Sequence, residues 1–493
     1  MNPASARAAI LAFLCFLTVR VTSMSALAGD EPHYLVLAQS LLTDNDLKVA
    51  NNYARGDYLA YYPGELHPHL TGLDDVRLKR YSQHAPGVAV LIAPAFAIGG
   101  HWAVVAFVAA LVAAGTGFVW QAAYLLTRDE AAAWFGWAAI TLTSPVGLYG
   151  ALIYPDPLAG AAIAVCVWAL IRSTCTTPAW PALISFAAGV LIASLPWLHT
   201  RLAIPAAFLT AIVAWRIWRP TMTSGAAPIE PTTSESATSE KVSGHASARQ
   251  RLRALFALLA PIVVSVAGWL IFFRITFGSF DPRSQFGGSA LIASAFIVNG
   301  LAGMLFDQEF GLIANGPIHV VALAGLWTLW RRAPRLTLEL ASIAVPYAAA
   351  ASGFVMWWGG YCPPARFLVP VVFPLGLAAA LAWSTSSRGS RTIAVLLLAT
   401  SVGIAAIMGF VDEGRLAYNQ ADGSALWIDW LTSNSGAAGF LPSFFRGVPH
   451  GTPPDAIRWP LIVSGLLWSA GLGAILAFSA RLPVPSQRAS VRP

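Results

Sequence analysis

The sequence predicts an all-α, polytopic membrane protein of about twelve transmembrane helices, and three observations carry that prediction. Hydrophobic residues make up 57% of the 493 and charged residues only 11%, against about 25% charged in a soluble domain. Apolar runs long enough to cross a ~30 Å hydrocarbon core recur along the whole chain. Aromatic residues reach 11%, with 19 Trp, the type that gathers at membrane interfaces. Soluble, disordered, collagenous and coiled-coil classes fall with the same numbers.

The first span covers 8–28. Arg7, the apolar run behind it and Ala26-Leu27-Ala28 imitate a signal peptide with its cleavage site. Arg20 interrupts that run, however, and the polar residues just after Ala28 gain from being held by a helix, so the segment reads as a retained span. An external loop, 29–100, follows and carries the densest polar set of the chain, with juxtamembrane helices expected inside it. Its last stretch, Pro86 to Gly100, would be about 22 Å long at 1.5 Å per residue, too short to span, and reads as an interfacial helix. Spans at 102–126, 131–151, 157–173, 181–199 and 202–218 complete an N-terminal module, 1–218.

Residues 219–253 contain TTSESATSEKVSGHASARQ and read as a flexible cytoplasmic linker. The C-terminal module, 254–493, holds spans at 254–273, 311–330, 337–357, 364–384, 391–410 and 459–480. Ala290 to Phe306 reads, like Pro86 to Gly100, as a helix that does not span. A second external loop, 411–458, mixes Gly and Pro with Trp427, Trp430, Phe440, Phe444 and Phe445. No internal repeat is apparent.

An even number of spans puts both termini on one side, and charge selects the side. With cytoplasmic ends, the inside receives Arg128, Arg172, Arg216, Arg219, Arg331, Arg332, Arg388 and Arg391, which satisfies the positive-inside tendency. Topology thus explains the net charge of +7 better than nucleic acid does, and no aromatic-interleaved basic patch is present. Cys15, Cys166, Cys175 and Cys362 build neither a disulfide framework nor a CxxC metal site.

Under this topology the polar candidates fall on one face. Asp30 and Glu31 directly follow the first span; adjacent carboxylates raise one another's pKa, can serve as a general base and can hold a divalent cation. The competing reading makes Asp30 the N-cap of a helix starting near Pro32. Asp156 lies in YPDP, His199 and Arg201 in PWLHTRLAIP, His84 in HAPG, Arg366 in WWGGYCPPARFLVP, and Asp307 and Glu309 in FDQEFG. Charges at this depth are expensive unless paired or functional. Arg201 and Arg366 also read as interfacial anchors that snorkel to headgroups, Asp307 and Glu309 as caps of a helix beginning near Phe310, and DDVRLKR as a solvated amphipathic face.

GDEPHY after the first span, HAPG before a short apolar helix, and an acidic residue after the third span together resemble the membrane glycosyltransferases with the C-type fold. The likeness is to bacterial members of the protein O-mannosyltransferase and lipid A aminoarabinose transferase group, and is firmest over 8–218. It implies a transferase of the inner membrane that takes a polyprenyl-phosphate-linked sugar as donor and acts at the external face on a lipid, glycan or protein acceptor. Carried over by position, Asp30 matches the general base and Glu31 its assistant or a holder of metal or acceptor. His84 stands where the family places Lys or His near the donor phosphate. Asp156 matches less well, because the family's acidic residue after the third span varies in position. Displacement of a phosphate at an anomeric carbon needs a base and positive charge for the leaving group, and Arg201 and Arg366 suit phosphate. The rival classes are a secondary transporter or lipid-linked-sugar flippase, and a membrane scaffold.

Overall fold

A computed structural model describes residues 1–23, 27–71, 80–175, 180–219, 247–286, 292–432, 437–446 and 456–479. Most of the expected linker and the DDVRLKR run, except Arg80, lie outside the described residues, as does 24–26 of the signal-like segment. The described chain is helical, and β pairing is confined to isolated bridges such as Lys48–Tyr81 and Leu70–Ser82.

In order, the helices are α1 (Pro3–Thr22), α2 (Glu31–Thr43), α3 (Ala50–Arg55), α4 (Pro86–Thr127), α5 (Glu130–Thr141), α6 (Val146–Tyr149), α7 (Pro155–Cys175), α8 (Ala182–Leu198) and α9 (Ala203–Trp218). Then follow α10 (Ala248–Phe277), α11 (Ile297–Phe306), α12 (His319–Arg332), α13 (Pro334–Ser352), α14 (Val369–Val372), α15 (Leu375–Thr385), α16 (Arg388–Phe410), α17 (Leu426–Thr432) and α18 (Trp459–Ser479). Every segment expected to span contains helix, and the protein is a multi-pass membrane protein. Seven helical stretches among the described residues are long and apolar enough to cross by themselves, or eight if Arg366–Val372 and Leu375–Thr385, bent by 59°, count as one broken span. The remaining segments fall short for identifiable reasons. α5 and α12 have 12 and 14 residues, since the apolar runs they belong to continue through buried non-helical turns. α13 is diluted by Arg335 and Glu339.

The short helix at Pro86 is set off by a kink from the span behind it. The two are joined through Gly99 and Gly100, whose backbone leaves the helical region, Gly100 at φ +62° and ψ −155°. This ψ with positive φ is open to glycine almost alone.

α7 is the central helix. It packs against α4, α8 and α14, and 72% of its apolar window is buried, against 6% for α10, which faces outward. Close approach of α4 and α7 depends on Gly115, where a Cβ would stand 2.6 Å from Ala161; small residues serve this purpose between membrane helices. At one end of the bundle Glu339 of α13 pairs with Arg216 of α9 and accepts from Arg335 Nε at 3.1 Å, so its charge is neutralised. The opposite end gathers the C-terminal end of α1, the N-terminal end of α7, the C-terminal end of α8 and the N-terminal side of α14.

Candidate active site

The site begins at Gly29, which has φ +57° and lies so close to Tyr154 that a Cβ would meet its Oη at 2.2 Å. The Tyr154 hydroxyl accepts the Asp30 backbone N–H at 3.2 Å and donates to the Ala28 carbonyl at 3.2 Å, fixing the turn from α1 into α2. Asp30 stands at the N-cap position of α2, but its side chain makes no capping bond. The capping expectation is therefore corrected for the side chain, whose carboxylate turns instead to Arg366.

From there a chain of alternating charge runs across the end of the bundle. Arg366 donates Nη2 to Asp30 Oδ2 and Nε to Asp156 Oδ2, the latter at 3.3 Å. The other oxygen of Asp156 receives Arg201 Nη2. Asp156 is fully buried in the first turn of α7, where the helix dipole also favours a carboxylate. Arg201 and Arg366 side chains are 13% and 8% exposed, and Asp30 is the most open member at 20%. The snorkelling expectation for the two arginines is thus overturned: buried carboxylates and aromatic faces hold them inside. Arg201 lies 4.2 Å over Phe367 and Arg366 4.5 Å over Tyr154. Tyr347 of α13 accepts Arg201 Nε at 3.2 Å, and Gly359 O accepts Arg366 Nη1 at 2.8 Å. His199 joins the same end, its Nδ1 accepting the Arg201 backbone N–H at 3.3 Å and its Nε2 lying 3.4 Å from Arg201 Nη1.

Burial by itself would raise the Asp30 carboxyl, but Arg366 and then His84 outweigh it and hold the group well below the usual carboxylate range. Among the described residues nothing hydrogen-bonds its Oδ1, which is left for an incoming group.

Glu31 goes elsewhere. Its Oε1 accepts the Ile153 N–H at 3.0 Å, and its Oε2 accepts the Ala28 N–H at 3.1 Å and lies 3.5 Å from Arg20 Nη2. The fully buried carboxylate ties the turn after α1 to the segment before α7. Because Asp30 and Glu31 answer to different partners, they do not present a joint pair of oxygens to a cation.

His84 lies beside this chain in a cluster that sequence reasoning missed. Its ring Nε2 is 3.1 Å from His69 Nδ1, and His33 stacks on His69 with centroids 3.7 Å apart. His33 Nδ1 is in turn 2.6 Å from the Tyr53 hydroxyl. Burial first, and neighbouring imidazoles next, push His33 down to about 2; burial pushes His84 to about 4 against the opposing pull of Asp30. The three rings are therefore neutral at pH 7. His33 was visible in GDEPHY, but the irregular separation of the three histidines matches no ligand spacing.

Asp307 and Glu309 form a second, distinct buried site. No helix starts at Phe310. Asp307 instead closes a turn, accepting the N–H groups of Glu309 and Phe310 at 2.9 Å and that of Phe444 at 2.7 Å. Glu309 Oε2 accepts the Gly423 N–H at 2.8 Å. Desolvation raises Asp307 to about 6 and Glu309 to about 8.

An apolar groove of about 160 Å³ opens between α7, α12, α13 and the α14–α15 bend, lined by Ile163, Leu340, Ile343, Ala344, Val371 and Leu375. Ile163 is seven residues beyond Asp156 on α7, about 10 Å along the axis at 1.5 Å per residue.

No protein-family model matches the chain, and no curated protein matches its sequence. Solved structures share its architecture. ArnT from Cupriavidus metallidurans, bound to undecaprenyl phosphate, aligns at 14% identity and a TM-score of 0.51 over 96% of this chain and 75% of that one. The apo state of the same protein gives 14% and 0.50 over the same shares. The expected C-type fold of membrane glycosyltransferases is thereby found in this chain.

Proposed function

We propose that the protein is an integral membrane glycosyltransferase that moves a sugar from a polyprenyl-phosphate donor to an acceptor hydroxyl at the external face of the inner membrane, with both termini cytoplasmic. The observation that carries this reading is the buried Asp30–Arg366–Asp156–Arg201 chain, which ends in the partly open carboxylate of Asp30 and lies about two helical turns from an apolar groove. The groove offers apolar walls to the first isoprene units of a polyprenyl tail, and undecaprenyl phosphate is what the ArnT structure of the same fold holds.

In this reading the acceptor hydroxyl approaches the free Oδ1 of Asp30. Its oxygen bonds to the anomeric carbon while the carbon–oxygen bond to phosphate breaks, the proton passes to Asp30, and the polyprenyl phosphate leaves with the electron pair. Arg201 and Arg366 stabilise the charge that develops on the leaving group. Arg201 is the more open of the two and, with His199, offers the first contact; His84 flanks the donor on the Asp30 side. Asp156 aligns both guanidiniums, and Glu31 positions Asp30 by locking the turn that carries it. The weak basicity imposed on Asp30 by Arg366 suits a displacement in which the bond to phosphate is largely broken before the hydroxyl loses its proton. Residues 1–218 supply both carboxylates and Arg201, and 254–493 supply Arg366 and much of the groove. We assign acceptor selection to loop 411–458 on its position.

The test is release of free polyprenyl phosphate from a panel of radiolabelled polyprenyl-phosphate sugars by the detergent-purified protein. Asp30→Asn is expected to lower the rate by about 10²–10⁴-fold, the contribution of a general base. Release at the wild-type rate by Asp30→Asn overturns the assigned base, and export of an intact lipid-linked sugar without transfer would favour a flippase.

A further inference from the structure

We propose that His33, His69 and His84 form a transition-metal site, a three-imidazole set that takes one zinc ion beside Asp30. Their ligand atoms all lie within 4.8 Å of one another. Four nitrogens at 2.0–2.1 Å around zinc are about 3.4 Å apart. His69 Nδ1 and His84 Nε2 already stand at 3.1 Å, and an ion would have to turn the stacked His33 ring so that its nitrogen joins them. Imidazole donors select zinc, copper, nickel or iron over magnesium or calcium, which take oxygen.

The surroundings match what metal-bound histidines need. His33 Nδ1 is engaged by the Tyr53 hydroxyl at 2.6 Å, an outer partner of the kind that orients a metal-bound imidazole. The backbone holds two of the three carriers, His69 and His84, together before any ion arrives. The Gln83 N–H donates to the His69 carbonyl at 3.0 Å and the Thr71 N–H to the Tyr81 carbonyl at 2.9 Å, while Ser82 Oγ accepts the His84 N–H at 3.0 Å. His33 comes from the first turn of α2, so the ion would pin the stretches around His69 and His84 to the helix that follows Asp30.

Three protein ligands leave a fourth position, the pattern of zinc sites that bind an oxygen ligand. Three neutral donors bring no negative charge, and Asp30, close enough to His84 and His33 for their charges to interact, supplies a counter-charge without ligating. This inference does not depend on the transferase reading, since its test reads metal and not sugar.

The full-length protein in detergent is stripped with EDTA, desalted and titrated with zinc or cobalt alone, with bound metal counted by mass spectrometry and cobalt geometry read from its visible d–d bands. One ion per chain with tetrahedral cobalt bands is expected. His69→Ala, the loop member of the set, should abolish it. His67→Ala, at a solvent-exposed neighbour with an 86% exposed side chain, should leave it intact. Tyr53→Phe should weaken affinity about 10- to 100-fold, as loss of an outer partner does. Equal metal uptake by wild type and a monodisperse His69→Ala protein, or no uptake by wild type, overturns the site.

Discussion

Asp156 is the residue on which the charge chain depends, because its two oxygens pair with both guanidiniums. Removing one partner of a buried ion pair costs about 3–5 kcal/mol, as the remaining charge stays buried without compensation. Asp156→Asn should therefore lower the thermal unfolding midpoint in detergent markedly, and by more than Asp30→Asn, whose carboxylate is partly open. Equal midpoints for the two variants would remove Asp156 from this role. Asp30, Asp156, Arg201 and Arg366 were legible as candidates because a charge at the end of an apolar run must be paired or used. Their order in the chain was not legible. Asp30 and Arg366 are 336 residues apart, and no periodicity reports a contact at that range. The partners of Glu31 were not legible for the same reason: adjacency to Asp30 in sequence says nothing about Ile153, whose N–H donates to the Glu31 carboxylate.

Among the elements, the turn at 307–315 depends on proton binding. It fastens the segment 419–446 through the N–H groups of Gly423 and Phe444, and by Asn419 Nδ2 donating to Glu309 O at 2.7 Å. Glu309 is raised from 4.5 to about 8 by burial and by Asp307. A raised carboxyl means that the folded form binds the proton more tightly, so its contribution is complete below about 4.5 and is lost as pH rises through about 8. Hydrogen exchange of 419–432 and the fluorescence of Trp427 should show this segment loosening between pH 6 and about 8. Glu309→Gln, which fixes the neutral form, should flatten that dependence, and an unchanged profile would reject the assignment. Element lengths were legible only in part. Apolar runs such as 131–151 and 364–384 were read as uninterrupted, yet the first breaks between α5 and α6 and the second bends at Phe373–Pro374, because buried turns are as apolar as the helices they join.

For the molecule as a whole, the groove beside α7 relates the site to the lipid phase. Its walls come from α7 and from α12 to α15. Ala344→Trp, which fills the groove without touching the charge chain, should raise KM for a long-chain polyprenyl donor several-fold while leaving a short-chain, water-soluble analogue nearly unaffected. Equal effects on both donors would place the tail elsewhere. The multi-pass architecture was legible from composition. This groove was not, since a lining residue such as Ala344 differs in no sequence property from one facing lipid.

The alternation of Asp30, Arg366, Asp156 and Arg201 makes the resting site electrically balanced. A phosphate diester that settles on the arginines adds one negative charge to that balance. Arg366 is then shared between the newcomer and Asp30, and a carboxylate whose cation is shared becomes more basic. The donor would in this way strengthen the base that consumes it. Under the proposed transfer, the empty site would hold a weak base and the donor-loaded site a stronger one.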